Sequence, residues 1–218
     1  MRIIIKSVIV IALLLIFQVV QAQNISDVFL KIPVSIAPTL SDQQRFEILE
    51  YYKSNKADSV KNRFGNYVKV LYLDTINQHL TAKTTENNLI DIKLFKTDEN
   101  EVLVGVINTV LSAVEVSSIQ FFDLNWRISK IQFPIPTVAK WINDNTLGNI
   151  DINQNWFKNI AEQKFVKLEF SKTDLRIIVN SQILNFVSQE NKKELIDLIN
   201  NKPLVYELKG NEFVEVEK

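Results

Sequence analysis

The stretch from Leu89 to Val110 constrains the fold more than any other part of the chain. Ile90, Ile92 and Leu94 alternate with Asp91 and Lys93, the two-residue period of a strand with one buried face. Thr97-Asp98-Glu99-Asn100 is a turn-forming run, and Val102-Leu103-Val104-Gly105-Val106-Ile107 then returns apolar on both faces. A strand apolar on both sides belongs inside a sheet that is covered above and below. The pattern predicts a β core in which Ile90, Ile92, Val102, Val104 and Val106 are buried, with helices before and after it in sequence to cover it.

The flanking sequence extends this pair into a meander. Val68, Val70 and Tyr72 form one strand, His79 to Lys83 a second, and Ile119 to Phe122 the last. The intervening turns, Asp74-Thr75-Ile76-Asn77 and Thr85-Glu86-Asn87-Asn88, are short enough to require antiparallel neighbours. Ahead of the meander, Ile25 to Ile32 reads as a short amphipathic helix ended by Pro33. Ser41 and Gln44 have the spacing of a capping box, followed by Phe46, Leu49 and Tyr52 at helical spacing.

Beyond the meander, Phe133-Pro134-Ile135-Pro136 breaks the pattern, and Thr137 precedes a short helix carrying Val138 and Trp141. A polar loop, Asn143 to Asn155, leads to a second β section at Phe165–Phe170 and Leu175–Val179. Ser188 caps a helix through Leu195, Leu198 and Ile199 that stops before Pro203. A hairpin around Gly210-Asn211 closes the chain. The fold class is α+β, a mainly antiparallel sheet with two to four helices against it. Residues 23–218 read as one domain, with a coarse helix-plus-strand duplication that would divide it into sub-lobes 23–128 and 129–218.

The first residues have the form of an export signal. Arg2 and Lys6 precede an unbroken apolar run, Val8 to Phe17, and Val20-Gln21-Ala22 offers a cleavage site after Ala22. An uncleaved anchor is the alternative, but this run is shorter than the ~20 residues that span a bilayer. Removing the signal takes away Arg2 and Lys6 and no acid, so 23 of the 25 basic residues remain against 25 acidic ones. No charge block stands out, which excludes an electrostatic footprint for nucleic acid. The absence of cysteine excludes disulfides, thiolate metal sites and a lipoprotein anchor. The expected address is the periplasm or cell surface of a Gram-negative bacterium, with no membrane span after cleavage.

Candidate chemistry is sparse. His79 is the only histidine; it alternates with Leu80 and reads as a solvated strand residue beside Thr81 and Lys83. A triad needs spatial partners that no local motif announces. Asp151, Asn153, Asn155, Asn159 and Glu162 fall at positions one, three, five, nine and twelve of a calcium loop. Trp156 stands where that loop needs glycine, and Lys158 where it needs an apolar residue, so an Asn-rich loop is the better reading. Asp98 with Glu99, and Glu215 with Glu217, are paired carboxylates on turns or exposed strands rather than across a cleft. Trp126, Trp141 and Trp156 would suit a sugar- or peptide-binding platform, although their apolar surroundings favour the core. Of these, Trp126 and Trp156 are the binding candidates.

The chain resembles a Bacteroidales family of secreted domains of unknown function, over most of the length after the signal. The resemblance rests on Val28-Phe29-Leu30, Asn62-Arg63-Phe64-Gly65, Thr109-Val110 and Asp123-Leu124-Asn125-Trp126, and on Lys202-Pro203-Leu204-Val205-Tyr206 with Phe213. These are turn, cap and core residues. The segment Leu111 to Ser118 departs from the family, lacking the Pro and the Asp-Ser pair found there. The resemblance implies an exported α+β domain and no activity.

Two function classes follow. The first is a non-catalytic binding or structural module of the envelope, without cofactor or metal, whose partner is an envelope protein or a surface polymer. The second is a hydrolase with an unrecognised carboxylate site.

Overall fold

The computed structural model describes residues 24–56, 58–98, 100–143 and 159–216. The fold is α+β and mainly antiparallel. Six strands follow one another in sequence and in space: β1 (Val60–Lys61), β2 (Tyr67–Asp74), β3 (His79–Thr85), β4 (Asn88–Lys96), β5 (Val102–Val110) and β6 (Val116–Phe122). A second sheet holds β7 (Val166–Phe170), β8 (Arg176–Ser181), β9 (Leu204–Lys209) and β10 (Glu212–Glu215) in the order β10-β9-β8-β7.

Two helices cover one face of the first sheet. In α1 (Ile25–Leu30), Asn24 caps the N-terminus by accepting from the Ser26 amide. In α2 (Asp42–Lys53), Ser41 and Gln44 form the reciprocal capping box that their spacing predicts. The buried face of α2 differs from the expected stripe. Leu49 is buried and Tyr52 partly so, as expected, but Phe46 is 55% exposed, and Arg45 and Ile48 turn inward. Arg45 is tolerated there because its guanidinium donates to the carbonyls of Leu30 and Leu40 and pairs with Asp42.

The other face of the first sheet is covered by the second sheet rather than by a helix. Even-numbered positions of β4 and β5, among them Ile90, Ile92, Val104 and Val106, join the helix-side core; Val102 lies partly buried at its edge. Odd-numbered positions, Phe95, Leu103 and Ile107, join Phe121 in a core shared with Leu168, Phe170, Ile177, Val179 and Phe213. The order is helices, sheet, sheet, with β5 in the middle layer. That placement is why β5 is apolar on both faces.

Gly105 lies where aromatic rings from both sheets crowd the backbone of β5. A Cβ there would lie 2.8 Å from a Phe95 ring carbon, 2.9 Å from Phe170 and 3.0 Å from Phe121. Only a residue without a side chain fits under this aromatic cluster, in which Phe95 meets Phe170 edge-on with centroids 5.4 Å apart.

Three shorter helices pack at the second sheet: a 3₁₀ turn (Val138–Trp141), α3 (Ile183–Phe186) and α4 (Gln189–Leu195). Trp141 is buried and donates its indole N–H to the Lys202 carbonyl at 2.9 Å, so it is a core residue. The final hairpin turns at Gly210 and Asn211, with Lys209 opposite Glu212, and Gly210 has the positive φ of 59° that such a turn requires.

Candidate functional site

The second sheet leaves part of the first uncovered, and the step between them opens a cleft of about 560 Å³. Its walls come from β2, β3 and β4 on one side and from β7 and the β7–β8 turn on the other. The antiparallel register sets Thr81 directly opposite Asp91, and His79 opposite Lys93, so four polar side chains share one face.

Asp91 organises the floor. Its Oδ1 lies 2.7 Å from His79 Nε2 and accepts from the Thr81 hydroxyl at 2.8 Å. His79 thus directs Nε2 at the carboxylate and its second ring nitrogen, Nδ1, away from it. Nδ1 is buried and has no partner among the described residues. The imidazole is only 2% exposed, lying edge-on to Tyr72 at 5.1 Å and to Phe170 at 6.1 Å. The solvated histidine expected from alternation is therefore a buried one: strand β7, distant in sequence, covers its face.

Lys93 is the second departure. It alternates as an outward residue, yet it is fully buried. Its ammonium donates to the backbone carbonyls of Ser171 and Asp174, the latter at 2.6 Å. Burial lowers its pKa from the ordinary lysine value, an effect the carboxylates of Asp174, Asp91 and Asp74 partly oppose. The available signal was β5 itself: a strand apolar on both faces requires a cover on the Lys93 side too.

At the mouth stand Leu71, Tyr72, Lys167, Glu169 and Lys172. The Lys172 ammonium sits over the Tyr72 ring, 4.9 Å from its centroid. Lys167 bridges Glu115 at 2.7 Å and Glu169 at 3.3 Å. The Tyr72 hydroxyl donates to Asp74, and both burial and that carboxylate raise its pKa.

This arrangement does not align a nucleophile with a base. Thr81 donates to the same Asp91 oxygen as His79 and not to the imidazole, so among the described residues no hydroxyl is hydrogen-bonded to His79. Among the described residues no group of three or more His, Cys, Asp or Glu side chains is placed to hold a metal ion. No described helix is long and apolar enough to cross a membrane.

Of the described residues singled out in the sequence, His79 lies in the cleft and Trp126 does not. Trp126 lies on the helix-covered side, partly buried, its ring 5.6 Å from that of Phe122. It takes a positive φ of 62° at the end of a turn in which Asp123 accepts from the amides of Asn125 and Arg127. Glu162 is exposed just before β7. Trp156, the calcium-loop positions Asp151, Asn153 and Asn155, and the export signal lie outside the described residues. The cleft residues His79, Thr81 and Asp91, with the buried Lys93 beside them, come together only through strand register.

A search of the curated proteins finds no match. Among solved structures, a domain of an uncharacterized protein from Porphyromonas gingivalis W83 superposes with a TM-score of 0.75 at 16% identity, covering 88% of this chain and 98% of that one. At that identity the likeness establishes the fold. The family model described as "Protein of unknown function (DUF3256)" matches residues 17–213, and the chain belongs to that family.

Proposed function

We propose that this chain is a non-catalytic binding module of the bacterial cell envelope, recognising an envelope protein or surface polymer through the cleft between its sheets. The observation that carries this reading is the engagement of the cleft floor. Asp91 is held by His79 and Thr81 within the first sheet, and the buried Lys93 ties that sheet to the β7–β8 turn through two carbonyls, so these hydrogen bonds are committed to the fold rather than to proton transfer. The mouth offers the contrasting chemistry of recognition: an aromatic ring, an exposed leucine and charges of both signs.

The experiment is a screen of saccharide and peptide arrays with wild-type protein and Tyr72→Ala. Binding lost in Tyr72→Ala supports the cleft. Binding unchanged there but lost in Trp126→Ala or Trp156→Ala moves recognition to the tryptophan loops. Turnover of an array member that disappears in Asp91→Asn would make the chain a hydrolase. The address is tested separately, by N-terminal sequencing of the protein from cell fractions: a chain beginning at Gln23 supports export with cleavage after Ala22, and one retaining Arg2 to Val20 favours the uncleaved anchor.

A further inference from the structure

We propose that the open edge of β2 pairs with the same edge of a second copy, joining two six-stranded sheets across a two-fold axis. Strand β1 covers only the start of β2, pairing Val60 with Val68 and Lys61 with Tyr67. From Lys69 to Asp74 the outward edge of β2 faces no strand among the described residues. A row of backbone N–H and C=O groups is thus offered to whatever extended chain lies against it. A groove of about 390 Å³ runs along the start of this edge, between Lys69 and Leu71 of the strand and a wall of Ile48 and Tyr52 from α2 with Lys56 and Asp58 from the segment that leads into β1.

The side chains identify the occupant. The β2–β3 register slips between Val70 and Tyr72. Val70 and Leu73, three apart, therefore both pack into the helix-side core. Antiparallel pairing about an axis between Leu71 and Tyr72 sets Lys69 against Asp74 of the second copy, Val70 against Leu73, and Leu71 against Tyr72. Opposite charges meet at both ends and apolar side chains between them, each a favourable cross-strand pair. Leu71, 42% exposed on the free edge, gains cover. The contact is isologous and closes at two copies. The contact shares Leu71 and Tyr72 with the cleft mouth, so its test is placed at Lys69, which does not line the cleft.

Sedimentation velocity over a concentration series, with wild-type protein, Lys69→Glu and Lys69→Arg, tests the pairing. Lys69 is exposed, so neither substitution touches the core; circular dichroism checks the fold. Wild-type and Lys69→Arg proteins should dimerise, and Lys69→Glu, facing two like charges, should raise the dissociation constant about tenfold or more. A wild-type protein that stays monomeric up to its solubility limit overturns the proposal. So does a Lys69→Glu dimer of unchanged affinity.

Discussion

Lys93 in the first sheet donates its ammonium to the backbone carbonyl of Asp174 in the turn of the second, across 2.6 Å, at a point from which water is excluded. A charge is tolerated there because two carbonyls, those of Ser171 and Asp174, replace its hydration. Lys93→Ala should cost ~2–4 kcal/mol in chemical denaturation, through a void and two unpaired carbonyls. Lys93→Met refills the volume without the donors and should cost ~1–3 kcal/mol. A Lys93→Met protein as stable as wild type would show that the tie contributes nothing.

The same lysine makes stability depend on alkaline pH. Its folded pKa is lowered, so the native chain releases this proton at a pH where the unfolded chain still holds it. Unfolding then takes up a proton, and stability rises as pH climbs through the depressed value toward the ordinary ~10.4. The stability difference between wild type and Lys93→Met should widen over that range. A constant difference would remove Lys93 as the cause.

Gly105 is predicted to resist the smallest enlargement. With three ring carbons within 3.0 Å of an added Cβ, Gly105→Ala should destabilise by ~1–3 kcal/mol. Adding Phe170→Leu should relieve part of that cost, so the double variant should lose less than the sum of the singles. Strict additivity would place the strain elsewhere. Beside it, Val104 is fully buried, and Val104→Asp should leave the protein unfolded or insoluble, as an unpaired buried charge consumes much of a total near ~5–15 kcal/mol.

Asp91→Ala should cost ~2–4 kcal/mol, because it strips a partner from both His79 and Thr81 in a half-buried setting. Asp91→Asn, which keeps one acceptor oxygen, should lose less. Equal losses from the two variants in thermal unfolding would argue against a hydrogen-bonding role.

Asp74 anchors the β2–β3 turn. The backbone and side-chain amides of Asn77, with the Ile76 amide, hold its pKa down to about 2. A depressed carboxylate contributes stability above its unfolded pKa and loses it as pH falls through the folded value. Asp74→Asn should therefore be less stable than wild type by no more than ~1 kcal/mol at neutral pH, water screening a rim position. The two proteins should converge as pH falls from about 4 toward about 2. A gap that survives below that range would assign the effect to shape rather than charge.

Much of this architecture was legible along the chain because it is local. Strand alternation, the Ser41–Gln44 box and the Gly210-Asn211 turn each depend on residues a few positions apart, and each is found where the spacing puts it. The apolar second face of β5 likewise announced that something covers it. What covers it was decided only in the tertiary structure, where residues some 80 positions away fold back as a second sheet. That docking converts Lys93 and His79 from apparent surface residues into buried ones; on the opposite face, packing of α2 against the first sheet turns Arg45 inward while Phe46 faces water. Alternation tells which side chains share a face, but not whether that face meets solvent or another layer. Burial is a property of the distant partner: Lys93 meets its carbonyl acceptors only when the two sheets dock, whereas Asp91 pairs with His79 and Thr81 inside the first sheet.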